Sequence, residues 1–126
     1  MAKARILALW LLALAPAMVG VAAADSYPVS GRWTYKDASA PGPAPDCKAP
    51  TMEFRGAQRL DSEGGVPQFR NVRVESSSST LYRVTDEFFT VQIRGRVTFT
   101  LRIRDKDHVE IHYERGGKNV VLRRCG

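Results

Sequence analysis

The stretch "RVTFTLRIRDKDHVEIHY", residues 96–113, decides the fold. Val97, Phe99, Leu101 and Ile103 alternate with Arg96, Thr98, Thr100, Arg102 and Arg104, and a period of two puts one set on each face of a strand. Beyond "DKD" at 105–107, Val109, Ile111 and Tyr113 alternate in the same way with His108, Glu110 and His112. A three-residue hairpin loop then pairs Ile103 with Val109, Leu101 with Ile111 and Phe99 with Tyr113 on one face, and Arg102 with Glu110 on the other. Apolar partners and opposite charges fall into one register, with one face for a core and one for water.

Outward from this hairpin the same alternation predicts eight strands, near 29–36, 51–56, 68–75, 80–85, 88–94, 96–104, 108–114 and 118–124. The inward set is Trp33 and Tyr35; Met52 and Phe54; Val72 and Val74; Tyr82 and Val84; Phe89, Val91 and Ile93; the four residues of 97–103; Val109, Ile111 and Tyr113; Val120 and Leu122. Gly116–Gly117 predicts a two-residue turn that pairs Tyr113 with Val120 and Ile111 with Leu122. Apolar parity runs unbroken from Phe89 to Ile103. A tight hairpin at "RGR", 94–96, is preferred there to one strand of unusual length. The proline-rich "DASAPGPAPDCKAP" (37–50) and the serine run at 76–80 are loops. Eight short strands joined mainly by hairpins predict an all-β fold, an antiparallel up-and-down eight-stranded barrel, because closure removes exposed sheet edges. A two-sheet β-sandwich is the alternative.

The chain opens with Lys3 and Arg5, an apolar run from Ile6 to Leu14, Pro16, and small residues at Ala22 and Ala24. That is the pattern of a signal peptide over 1–24, leaving residues 25–126 as a single domain. The apolar run is too short and too interrupted to span a bilayer. A secreted or periplasmic monomer is expected. Loss of Lys3 and Arg5 takes 19 basic residues to 17 against 13 acidic ones, a mature net charge of +4. Cys47 and Cys125, the two cysteines, are expected to form a disulfide in an oxidising compartment, closing most of the mature chain into a loop.

His108, Glu110 and His112 resemble a metal-binding run, but on a strand the two histidines lie about 13 Å apart and cannot share an ion. Arginines flanking Glu110 point to an ion-pair ladder on a solvated face, and no metal or other cofactor is expected. No Gly-x-Ser-x-Gly elbow occurs, the inward set lacks paired carboxylates, and no catalytic residue is assigned, so an enzyme is not expected. Asp37, Asp46, Asp61, Glu63 and Asp86 fall in loops on this reading. Outward arginines at 94, 96, 102, 104 and 123 form a basic stripe diluted by Asp105, Asp107, Glu110 and Glu114. Aromatics alternate inward rather than among them, which argues against nucleic acid.

"SGRWTY", 30–35, resembles the Gly-x-Trp signature of the first strand in lipocalin-like barrels. The resemblance implies that Trp33 closes one end of the barrel and that a late basic residue, Arg124, packs across it. Gly31, Trp33 and Cys47 also resemble the shorter secreted bacterial inhibitors of metalloproteases, in which a mature N-terminus, here Asp25, Ser26 and Tyr27, enters the protease cleft. The expected function is therefore a non-catalytic lipocalin-like barrel binding a small apolar or amphipathic ligand, its pocket drawn from Tyr82, Phe89 and Tyr113. The alternative is a protein-binding module that inhibits a secreted hydrolase, using the N-terminus or the proline-rich loop.

Overall fold

The computed structural model describes residues 27–42, 47–48 and 50–125; the expected leader lies outside them. Eight strands, β1 (Gly31–Thr34), β2 (Thr51–Arg55), β3 (Gln58–Asp61), β4 (Gln68–Ser76), β5 (Leu81–Phe89), β6 (Arg94–Asp105), β7 (His108–Tyr113) and β8 (Asn119–Arg124), close in chain order into one barrel. Every neighbouring pair is antiparallel, including β1 with β8. This is the up-and-down barrel, not the sandwich, and it fits a lipocalin-like architecture. No helix among the described residues is long and apolar enough to cross a membrane.

The β6–β7 register is the expected one: Ile103 faces Val109, Leu101 faces Ile111, Phe99 faces Tyr113 and Arg102 faces Glu110. Asp105 pairs with His108, so the turn itself is Lys106–Asp107 and Arg104 is the extra residue of a bulge. Trp33, Met52, Phe54, Val84, Phe99, Leu101, Val109, Ile111, Val120 and Leu122 are buried together, with Tyr27, in one core.

Three expectations about strands and turns need correction, besides the unexpected strand β3. The stretches 80–85 and 88–94 are not two strands: β5 runs unbroken to Phe89, the turn is 90–93, and Gly95 lies inside β6 opposite Phe88. Phe88, not Phe89, therefore faces inward. Phe89 and Ile93 are more than half exposed and Val91 is fully exposed. The turn after β7 is longer than two residues, because Tyr113 N donates to Lys118 O, with Gly116 and Gly117 both at positive φ. Register thereby shifts by two, to Ile111–Val120 and Val109–Leu122. A shift of two conserves parity, so Val120 and Leu122 still point inward. In β4 the register slips between Asn71 and Arg73, making Val72 the bulged residue, while Asn71 takes a buried place and Val74 packs on the core.

The barrel is least paired where it closes. β1 and β8 share only the partners Trp33–Arg124 and Thr34–Arg123. The β1–β2 connection folds over this seam: the Arg123 guanidinium donates to the carbonyls of Ala40 (3.0 Å) and Gly42. The Cys47–Cys125 disulfide fastens it at a Cα–Cα distance of 5.7 Å.

Candidate functional site

The strand absent from the sequence reading, β3, carries the most unusual chemistry. Its inward residues are Arg59 and Asp61, and Leu60 between them faces outward. Arg59 is fully buried and donates through Nε to Asp86 Oδ2 at 2.7 Å, and Asp86 is also fully buried. The guanidinium lies over the Phe69 ring at 3.9 Å and 5.0 Å from that of Phe99, contacts that offset part of its desolvation. Asn71, on the strand between, donates to Asp86 Oδ1 at 3.1 Å. Arg59 Nη1 stands 3.8 Å from Asp61 Oδ2, while Asp61 Oδ1 accepts from Tyr35 Oη (2.9 Å) and Glu63 N (3.0 Å). The inward set thus does contain two carboxylates, one on each side of the Arg59 guanidinium, and Asp61 and Asp86 are strand residues, not loop residues. Burial pulls the Arg59 pKa down and Asp86 pushes it up; the net direction is up.

Tyr27 caps this cluster. Its ring meets Phe54 edge-on at 4.9 Å, and its hydroxyl lies beside Asp86 and Arg59. Burial, then the nearby Asp86 charge, holds its pKa well above the usual phenol range. Among the described residues, three buried polar atoms, Tyr27 Oη, Arg59 Nη2 and Asn71 Oδ1, have no hydrogen-bond partner. All three belong to residues that surround Asp86. Because Tyr27 is committed to the core, it is not a residue that projects into a partner's cleft. Asp25 and Ser26 lie outside the described residues.

The other expected site residues do not come together. Tyr82 directs its hydroxyl to Ser79 O in the β4–β5 loop (2.9 Å). Tyr113 packs against Phe99 with 5.7 Å between centroids, beside the β7–β8 turn. Those two connections lie at opposite ends of an up-and-down barrel. Phe89 points outward under the Arg94 guanidinium, at 4.9 Å, so the trio encloses no common pocket. Trp33 is buried with its indole N–H on Ser30 O (3.1 Å). Arg124 lies over its ring at 4.4 Å and is tied to Ser30 O and Lys106 O. The stacked pair expected from the Gly-x-Trp resemblance is thus present in this chain.

The run 108–112 is engaged along the surface: His108 Nδ1 with Asp105 (2.8 Å), Glu110 with Arg104, His112 Nδ1 with Asn119. The ladder is diagonal, to Arg104 and not to the directly opposed Arg102. Comparison of the chain with family models, curated proteins and solved structures found no match.

Proposed function

We propose that this is an exported, non-catalytic barrel of lipocalin-like type that works from its outside, as a protein-binding module with a secreted hydrolase as its partner class. The supporting observation is the filled interior. Trp33, Met52, Phe54, Val84, Phe99, Leu101, Val109, Ile111 and Leu122 retain almost no accessible surface, and the Arg59–Asp86 pair lies among them. An eight-stranded barrel is just wide enough either to be filled by side chains or to hold one small ligand, and bulk of this kind favours the first. The scatter of Tyr82, Phe89 and Tyr113 weighs against the small-ligand reading. The Cys47–Cys125 disulfide supports an oxidising, extracytoplasmic location.

Native followed by denaturing mass spectrometry of protein recovered from the exporting cell tests the reading. A bare, oxidised chain is the expected result. A small apolar mass that leaves on denaturation would replace it with the carrier. The hydrolase assignment is tested separately by adding the protein to a panel of secreted proteases, at least one of which should be slowed. A panel left fully active would remove that partner class.

A further inference from the structure

The turn between β5 and β6 leaves three large apolar side chains in water: Phe89, Val91 and Ile93. They are the exposed large hydrophobics among the described residues, and they crowd into five consecutive positions. Scattered exposed apolar residues need no explanation, but a cluster does.

We propose that this turn is an anchor that inserts into the interface of an anionic lipid surface, holding the barrel against it without spanning it. Three features converge on this occupant. The turn bonds part of its own backbone internally. Thr90 N donates to Ile93 O (2.7 Å), and the Thr90 hydroxyl accepts from Ile93 N (2.9 Å) and Gln92 N (3.4 Å). A segment entering an apolar layer needs such closure, since an unpaired backbone group there is costly. The apolar side chains also cluster at a chain reversal, with Val91 fully exposed in the turn and Phe89 and Ile93 more than half exposed on either side of it. Fluid acyl chains can surround such a tip from every side.

Charge supplies the third feature. Arg55, Arg70, Arg73, Arg83 and Arg104 on the outer face each have a carboxylate partner. Arg94 and Arg96, immediately behind the tip, have none among the described residues, as Arg32, Arg102 and Arg115 elsewhere also have none, and Arg94 lies over Phe89. Two arginines at a spacing of about 7 Å along the strand would sit at headgroup depth once the tip had entered by one turn. Interfacial anchors combine these two elements, buried apolar area and attraction to anionic headgroups.

The test uses the exported chain and vesicles of phosphatidylcholine, alone or with about a third phosphatidylglycerol, read by flotation. The wild-type chain should float with the anionic vesicles and much less with the neutral ones. Val91→Asp should weaken this at least about tenfold. Arg94→Gln with Arg96→Gln should weaken it about 25-fold, about fivefold for each charge. Trp33 emission checks that the variants fold, and Val91 has no packing to lose. A wild-type chain that floats with neither vesicle overturns the proposal, as does binding insensitive to either variant. If the chain ignores vesicles while Val91→Asp abolishes inhibition of a protease, the turn belongs to a protein partner and the lipid anchor is wrong.

Discussion

Arg59 of β3 and Asp86 of β5 meet at 2.7 Å inside the barrel, neither with any exposed side chain, and Asn71 of the intervening β4 bonds the same carboxylate. Three consecutive strands are thereby joined through polar groups inside the barrel. Breaking such a pair strands a charge without water. Asp86→Ala should therefore destabilise the fold by about 3–5 kcal/mol, and Arg59→Met by a similar amount. The double variant Arg59→Met with Asp86→Leu should cost less than either single change, because both charges leave together. Urea unfolding followed by Trp33 fluorescence measures all three. A double variant at least as unstable as the singles would mean that the pair is a net stabiliser and not only a mutual obligation.

The tyrosines around this cluster set the response to alkali. Burial raises the pKa of Tyr27, Tyr35 and Tyr113 above the ordinary phenol value, helped by Asp86 at Tyr27 and by Asp61 at Tyr35 and Tyr113. The unfolded chain releases these protons near pH 10 or so, about the model-peptide value, while the folded chain keeps them. Their contribution to stability is complete below that pH and is lost as pH rises through the folded pKa values. Unfolding free energy should therefore fall steadily above about pH 10, and phenolate absorbance from these three residues should appear only with unfolding. Tyr113→Phe should flatten the decline. A free energy constant through the alkaline range would contradict the burial of these hydroxyls.

Gly95 is held to its size by one neighbour. A Cβ built there would stand 2.5 Å from Phe88 Cζ and 2.9 Å from its Cε1, since the Phe88 ring lies across the glycine from the opposing strand. Phe88 in turn meets Phe69 edge-on at 5.7 Å, and Phe69 stacks on Arg59. Gly95→Ala should displace that ring and cost about 1–3 kcal/mol, as overpacking does. Adding Phe88→Leu should recover part of the loss. Additive losses in the double variant would place the strain elsewhere.

The same region shows what alternation can and cannot reveal. The β6–β7 hairpin was legible because Leu101 with Ile111 and Arg102 with Glu110 satisfy both faces in one register. The β5–β6 turn was not, because Phe89, Val91 and Ile93 continue the odd-numbered parity of Val97 to Ile103 straight through a reversal of the chain. The usable signal was local: Thr90, whose hydroxyl caps two backbone N–H groups. β3 was invisible for the opposite reason. Its inward residues, Arg59 and Asp61, are charged, so a rule that sends charge outward inverts the strand. The interior cluster followed β3 out of sight, since Asp86 finds its meaning only beside Arg59. Trp33 and Arg124 were found because a motif, rather than a pattern of hydropathy, pointed to them.

The closing seam is where the barrel should open first. β1 and β8 share two registered pairs, whereas β5 and β6 share nine. The seam is supplemented from outside by Arg123 on Ala40 O and Gly42 O and by the Cys47–Cys125 link, across a sequence separation of 78. On the chain-entropy model a cross-link over a loop this long is worth about 4 kcal/mol. Reduction should lower the urea midpoint accordingly. It should also speed amide exchange at Thr34 and along β8 well before Phe99 and Leu101 in β6 are affected, because local opening follows the weakest pairing. Cys47→Ser with Cys125→Ser should reproduce both effects without reductant. Uniform acceleration over all eight strands would show that the barrel opens only as a whole, and that the disulfide acts on the unfolded chain instead of on the seam.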